Sequence, residues 1–167
     1  MDEKDAVRVY LALGSNKGDR KNYLEQAIQH LPPLVHVLNT SAIYETEPWG
    51  YEEQPSFLNQ VLEARTPLPP LELLAYLKDI EDMMGREETF RYGPRVIDMD
   101  ILFYGDLIYE DDVLQIPHPR MSERAFVLVP LAELAPDLIH PGLGRRIGEL
   151  LREVDQQGVE PFVEKQS

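Results

Sequence analysis

The order of apolar segments along the chain is the feature that most restricts its fold. Branched and aromatic residues are concentrated in four runs, which predict β-strands at 7–13, 35–46, 57–64 and 96–104. A segment with apolar residues at helical spacing follows the first run, and another follows the third. The order β-α-β-β-α-β predicts an α+β domain of the ferredoxin-like kind, an antiparallel sheet with helices on one face.

Local signals mark the ends of these two helices. Asp19 stands where the N-cap of the first helix belongs, and Pro32-Pro33 ends that helix. Pro69-Pro70 begins the second helix, and Gly85 stands at its end.

The C-terminal part of the chain adds further helices to this pattern. Helical spacing predicts one at 126–134, although Pro130 lies inside it, and a shorter one at 147–154. The acidic segment after Gly158 is expected to be a solvated tail.

Composition restricts the class of protein and its partners. A chain of 167 residues with 43% apolar residues is expected to form one domain, spanning 1–167. The absence of cysteine excludes disulfides, thiolate zinc sites and cysteine nucleophiles. A net charge of −14 argues against nucleic acid and anionic membranes as partners. No secretory signal or long apolar run is evident, so a cytoplasmic protein is expected.

Two aspartates in the last predicted strand are the main chemical signal. Because alternate residues of a strand face opposite sides, Asp98 and Asp100 should project together while Met99 faces a core. Two adjacent carboxylates repel each other unless a proton or a cation lies between them. Magnesium commonly binds one or two carboxylates together with substrate phosphates. The alternative is an exposed strand face that carries two acids by chance.

Three arginines precede this strand in a loop that also contains Gly93-Pro94. The guanidinium groups of Arg86, Arg91 and Arg95 suit phosphate oxygens. Carboxylates for a metal beside arginines for phosphate favour phosphoryl-type transfer, whose catalysis is mostly positioning and charge neutralisation. These arginines could instead pair with nearby acids such as Glu87 and Glu88.

Several longer motifs follow one another along most of the chain. They are LALGSN at 11–16, YETEPWG at 44–50, QPSFLNQV at 54–61, RYGPRVIDMDIL at 91–102, IPHPRMSERAFVLVPLAELAP at 116–136 and HPG at 140–142. In content and order they resemble the motifs of the 6-hydroxymethyl-7,8-dihydropterin pyrophosphokinase family of folate biosynthesis. The resemblance implies a ferredoxin-like α+β fold. It also implies transfer of the diphosphate of ATP to the hydroxymethyl group of the dihydropterin, with release of AMP.

The resemblance further implies cofactors, partners and site residues. Two Mg²⁺ ions would act with ATP, and the partners would be the two small-molecule substrates. A monomer is expected, with a dimer as the alternative. By motif position, Asp98 and Asp100 match the metal ligands, and Arg86 and Arg95 join them as catalytic residues. The positions matched around ATP are Glu81, Arg91, Tyr92, Ile101, His118 and Arg124. The positions matched around the pterin are Asn16, Thr46, Trp49, Phe57, Asn59 and Phe126.

Other interpretations of these residues remain open at the level of sequence. Phe57 and Phe126 could be ordinary core residues. Glu88 stands where members of the family usually have a basic residue, so it is open how tightly this loop binds the triphosphate. The alternative function is a non-catalytic ferredoxin-like module that binds a nucleotide or a pterin. A metal-dependent phosphohydrolase is a third possibility.

Overall fold

The structure is a computed structural model, and it describes residues 6–46, 56–85 and 96–163. Its regular elements cover most of these three ranges. In chain order they are β1 (Val7–Ser15), α1 (Arg20–Gln29), β2 (His36–Thr40), β3 (Tyr44–Thr46), β4 (Phe57–Thr66), α2 (Pro70–Met83), β5 (Asp98–Tyr104), β6 (Tyr109–Glu110), β7 (Gln115–Ile116), α3 (Ala125–Leu134), β8 (Ile139–His140), β9 (Arg145–Arg146), α4 (Ile147–Glu153) and β10 (Val159–Pro161).

The main sheet is antiparallel and has the strand order β10-β3-β4-β1-β5, with β2 also paired to β4. Its centre is formed by β1 and β4, whose ladder runs without interruption from the Val7–Thr66 pair to the Ser15–Leu58 pair. Helix α1 connects β1 to β2, and α2 connects β4 to β5. This arrangement confirms the ferredoxin-like α+β fold.

The single strand predicted at 35–46 is wrong, because two strands, β2 and β3, occupy this segment. Both pair with β4, and Ser41 lies between them. The Ser41 hydroxyl accepts a hydrogen bond from the Val61 backbone N–H at 3.0 Å, and the Ser41 N–H donates to the Val61 carbonyl at 2.9 Å. A side chain therefore replaces one backbone partner, which interrupts the strand without separating it from β4.

Hydrophobic cores cover both faces of the sheet. One core contains Leu24 and Ala27 of α1, Leu73 and Leu77 of α2, and sheet residues such as Leu11. We call this the first core. The second core joins the opposite face of the sheet to α3 and α4, and its buried members are Tyr10, Val61, Leu102, Phe103, Met121, Val127, Leu128, Leu131, Ile147 and Leu150. The expectation of helices on one face thus holds for α1 and α2 only, because the C-terminal helices bury the second face.

The described part of the segment after Gly158 is not the solvated tail that its composition predicted, whereas residues 164–167 lie outside the described residues. Residues 159–161 form β10, which pairs with β3 through Val159 and Thr46. The Phe162 N–H donates to the Ile43 carbonyl at 2.9 Å, and the Phe162 ring packs against the first core. An edge strand and one aromatic ring therefore attach this segment to the domain.

None of the helices in the described ranges has the length and hydropathy that a bilayer-spanning segment needs.

Candidate active site

One end of the sheet gathers most of the predicted site residues that lie within the described ranges. Asn59 on β4 is opposite Gly14 on β1, and Gly14 is opposite Asp98 on β5. Directly opposed residues of antiparallel strands share a face, so these three positions form a row across the sheet. Asp100 is opposite Ala12 in the next row. The row lies on the face that α3 covers, since Ala12 packs against the second core.

Gly14 leaves the space that the Asn59 side chain occupies. A Cβ atom added at Gly14 would lie 3.1 Å from Asn59 Oδ1 and 3.9 Å from Phe57 Cδ1. The first distance is shorter than an ordinary van der Waals contact, so a larger residue would displace the amide. Sequence reasoning assigned no site role to Gly14, although its position inside the LALGSN motif was a signal for one.

Polar and aromatic groups surround the Asn59 end of the row. Asn59 Nδ2 donates to Thr46 Oγ1 at 3.3 Å, and Thr46 is opposite Phe57 in the ladder between β3 and β4. Phe57 is half-buried and therefore belongs to the surface of this end rather than to a sealed core. Asn16 is fully buried immediately beyond β1.

Phe126 brings a second half-buried ring from α3 to this face of the sheet. It packs against the second core, as Ala12 does. The guanidinium carbon of Arg124 lies 5.6 Å from the centroid of the Phe126 ring, which is within the range of a cation–π contact. The structure thus places Arg124 and Phe126 together at the start of α3.

The Asp98 end of the row carries the paired acids. Burial alternates along β5, since Asp98 is half-buried and Asp100 exposed, whereas Met99 and Ile101 are buried in the first core. The two aspartates therefore project from the same face, as strand alternation predicted. Ile101 is only 3% exposed, so it belongs to the first core rather than to the surface that carries the two aspartates.

A buried glutamate supports the strand between the two aspartates. Glu81 on α2 is 2% exposed, and its Oε2 accepts a hydrogen bond from the Met99 backbone N–H at 2.7 Å. Its Oε1 lies 3.7 Å from Nζ of Lys78. Because Met99 stands between Asp98 and Asp100, Glu81 fixes the position of the strand that carries them.

His118 is held beside the same strand by a β-bulge. The ladder between β1 and β5 shifts register after Leu11, which pairs with Ile101, whereas Tyr10 pairs with Phe103. Leu102 is the extra residue, and its carbonyl accepts a hydrogen bond from the His118 N–H at 3.1 Å. The bulge thereby attaches the segment that contains His118 to β5.

The charges around His118 affect its protonation. Burial lowers the pKa of His118 below its usual range, the Asp100 carboxylate opposes this shift, and Arg124 and Arg120 lower the pKa further. The imidazole is therefore held mainly neutral near pH 7. Within the part of the chain that the structure describes, its buried Nδ1 atom has no hydrogen-bond partner.

A cavity of about 210 Å³ lies beside His118. Its lining includes His118, Gln115, His140 and Leu143, and among the described residues neither Asp98 nor Asp100 contributes to it. The sheet face with the paired acids, rather than this cavity, therefore defines the candidate site.

Five predicted site residues lie outside the described residues. They are Trp49, Arg86, Arg91, Tyr92 and Arg95. Glu88, the departure from the family pattern, lies outside them as well.

Comparison with known proteins gives the same family as the motifs. The sequence model of the family described as 7,8-dihydro-6-hydroxymethylpterin-pyrophosphokinase (HPPK) matches residues 10–136. The chain is 47% identical over 133 residues to the 2-amino-4-hydroxy-6-hydroxymethyldihydropteridine pyrophosphokinase of Aquifex aeolicus, covering 80% of this chain and 83% of that protein. It is 44% identical over 158 residues to the Bacillus subtilis protein of the same name, covering 93% and 90%.

Some relatives and solved structures are longer than this chain. It is 50% identical over 135 residues to the folic acid synthesis protein FOL1 of Dictyostelium discoideum, covering 81% of this chain and 20% of that protein. Among solved structures, Plasmodium falciparum HPPK-DHPS with pteroate matches with a TM-score of 0.72 at 19% identity, covering 89% of this chain and 42% of that one. That similarity concerns the fold alone. The family match and the identity to full-length relatives show that the chain belongs to the 7,8-dihydro-6-hydroxymethylpterin-pyrophosphokinase family.

Proposed function

We propose that this protein transfers the diphosphate of ATP to the hydroxymethyl group of 6-hydroxymethyl-7,8-dihydropterin and releases AMP, a step of folate biosynthesis. The observation that carries the proposal is the row formed by Asn59, Gly14 and Asp98 on one face of the sheet. It joins an aromatic and amide-bearing end, which suits a flat heterocycle, to an acidic end, which suits a metal and phosphates. The two substrates of a transfer reaction need such adjacent positions.

The Asn59 end is the proposed pterin position. Phe57 and Phe126 are half-buried rings on this face, and aromatic side chains favour stacking or edge contacts with a planar ring. Asn59 and Thr46 offer an amide and a hydroxyl to the hydrogen-bonding edge of the pterin. Asn16 is proposed to act at this end too. Trp49 is assigned to the same pocket from its motif position alone.

The Asp98 end is the proposed metal and triphosphate position. Two carboxylates from one strand face match the hard oxygen ligands that Mg²⁺ prefers. The described residues contain no group of three or more histidine, aspartate or glutamate side chains arranged to enclose a metal. We therefore expect two Mg²⁺ ions to be completed by phosphate oxygens of ATP and by water.

The proposed reaction exchanges one phosphorus–oxygen bond for another. The hydroxymethyl oxygen bonds to the β-phosphorus of ATP, and the bond from that phosphorus to the oxygen bridging the α-phosphate breaks. AMP leaves with the bridging oxygen, and the hydroxyl proton is released to solvent. When bound, the metal would neutralise the charge of the triphosphate. The contribution proposed for the sheet face is to hold the hydroxymethyl group in line with the β-phosphorus, which is the main requirement of this chemistry.

The remaining ATP contacts are proposed from position. Arg124 and His118 lie on the side of Asp100, where a cation and a mainly neutral imidazole would face phosphate oxygens. Arg86, Arg91, Tyr92 and Arg95 are assigned from the motifs. The protein is proposed to act as a monomer.

The test is to identify the products formed from ATP and Mg²⁺ with and without the dihydropterin. AMP that forms only when the pterin is present supports the proposal. ADP or free phosphate in place of AMP would overturn it. Tight pterin or nucleotide binding with no AMP would instead favour the non-catalytic module.

A further inference from the structure

Arg20 contacts three segments that are distant from it along the chain. It is the first residue of α1, and its side chain is only 21% exposed. Its partners lie on β3, directly before β4 and directly after β10. An arginine with this many contacts connects elements rather than covering a surface.

Two of these contacts tie together the ends of β3 and β4. Arg20 Nη1 donates to Glu45 Oε2 at 3.2 Å and to the Ser56 carbonyl at 2.6 Å. Glu45 immediately precedes Thr46, and Ser56 immediately precedes Phe57. One nitrogen atom therefore bridges the two strands at their last ladder pair, in which Thr46 is opposite Phe57.

The guanidinium lies behind the proposed pterin position rather than within it. Glu45 is opposite Leu58, which is fully buried in the core under α1 and α2. Thr46 and Phe57 alternate with these residues, so they face the other side of the sheet. Arg20 thus lies on the opposite face of the sheet from Thr46 and Phe57, behind the proposed pterin position.

The third contact adds the C-terminal segment to this support. The Arg20 guanidinium carbon lies 5.8 Å from the centroid of the Phe162 ring, within the range of a cation–π contact. The Phe162 N–H donates to the Ile43 carbonyl, and β10 pairs with β3 through Thr46 itself. Arg20 therefore contacts one residue directly before β4 and one directly after β10, the two strands that flank β3 in the sheet.

The helix alone does not explain a cation at this position. The N-terminus of a helix carries a partial positive charge, which disfavours arginine there. Asp19 caps α1 by accepting the Asn22 N–H at 3.4 Å, so the helix start has its own acidic group. The contacts with Glu45, Ser56 and Phe162 are what stabilise Arg20 in place.

We propose that Arg20 is a positioning residue for the pterin: it holds Thr46 and Phe57 at a fixed separation and thereby sets the affinity for this substrate. This inference rests on the proposed function. Since the hydrogen bonds of Arg20 are to the residues next to Thr46 and Phe57, whereas the paired aspartates are on β5, its loss should affect the pterin and leave ATP largely unaffected.

The test compares Arg20→Ala with Arg20→Lys and with a control, Arg145→Ala. Arg145 of β9 makes a two-pronged ion pair with Glu153 of α4, both distances being 2.7 Å, and neither residue belongs to β3 or to its neighbours β4 and β10. In Arg20→Ala we expect the KM for the pterin to rise about tenfold, the effect of losing one charged hydrogen-bonded group. The KM for ATP and kcat should change less than about twofold, and Arg145→Ala should change none of these values. Arg20→Lys keeps the charge without the planar fork, so it should recover part of the pterin affinity.

Amide hydrogen exchange of the substrate-free protein provides a second readout that does not depend on activity. Exchange in β3 and at residues 57–60 should be faster in Arg20→Ala than in wild type, with β1 and β5 unchanged. Wild-type exchange rates at those amides would overturn the inference, and so would an equal rise of both KM values. Failure of the wild-type protein to form AMP with the pterin would instead overturn the proposed function, which separates the two.

Discussion

The Met99 backbone N–H donates a 2.7 Å hydrogen bond to Glu81 Oε2, and this bond links α2 to the strand between the two aspartates. Glu81 is almost fully buried, so water cannot replace the bond easily. A helix on one face of the sheet thus sets the position of two carboxylates that project from the other face. Motif position assigned Glu81 to the surroundings of ATP, and its contact with Met99 supports an indirect role there.

Two replacements of Glu81 should distinguish the contribution of its hydrogen bond to stability from the contribution of its charge. Glu81→Ala leaves the buried Met99 N–H without its acceptor, and we expect a loss of about 1–3 kcal/mol in the free energy of unfolding. Glu81→Gln keeps an oxygen at the same place, so it should lose less than half as much. Urea denaturation measures both values. Equal losses in the two variants would show that the charge, rather than the bond to Met99, stabilises the strand.

Removing either carboxylate of the pair should abolish turnover while leaving the fold intact. We expect Asp98→Asn and Asp100→Asn each to lower kcat on the order of a thousandfold, because each removes a proposed ligand of Mg²⁺. Asp106→Asn is the matched control, since this exposed aspartate lies in the turn just after β5. Steady-state AMP formation and circular dichroism measure the two effects. Near-normal activity in either site variant would contradict the metal assignment.

Gly14→Ala should weaken pterin binding through Asn59. The added methyl group would lie 3.1 Å from Asn59 Oδ1 and should displace the amide by a few tenths of an ångström. We expect the KM for the pterin to rise about tenfold, which is near the lower limit for overpacking a close contact. The cost should disappear in the Asn59→Ala background, because the clash is then absent. Equal effects of Gly14→Ala in both backgrounds would mean that the backbone, rather than the amide, is affected.

Acid should destabilise the protein partly through His140. Burial lowers the pKa of His140 below its usual value of 6.5, and its Nδ1 accepts hydrogen bonds from the N–H groups of Gly142 and Leu143, both at 3.1 Å. Below pH 6.5 the unfolded chain therefore binds a proton that the folded chain does not, and the free energy of unfolding falls as pH falls.

His140→Asn keeps an acceptor for those two N–H groups and removes the titration. Between pH 7 and 5 we expect the slope of the free energy of unfolding against pH to decrease by at most about 1.4 kcal/mol per pH unit. His118 titrates in the same direction, so some slope should remain. Denaturation at several pH values measures the slope, and an unchanged slope would contradict the role of His140.

Local sequence patterns predicted the main elements of the fold and the shared face of Asp98 and Asp100. Strand alternation is enough to predict the shared face of the aspartates, because Met99 and Ile101 are buried in the first core on the other face. The bulge at Leu102 could not be predicted, since it depends on a register shift against β1 and on the backbone of His118.

Two further features depend on contacts between distant segments. Ser41 interrupts the second predicted strand only because its hydroxyl meets the Val61 N–H of β4. Residues 159–161 belong to the segment predicted as a solvated tail, yet they pair with the edge of β3 that faces away from β4. The contacts from which we infer roles for Gly14 and Arg20 likewise become apparent only when β4 and β3 are placed beside them.

The most direct test of the central claim is to measure AMP and the pterin product together in one reaction of wild-type protein with ATP, Mg²⁺ and the dihydropterin. Mass spectrometry of the product distinguishes one added phosphoryl group from two. We predict a pterin diphosphate and AMP in equal amounts, both lost when Asp98 or Asp100 is replaced by asparagine. A pterin monophosphate with ADP, or AMP without a modified pterin, would contradict the proposed diphosphate transfer.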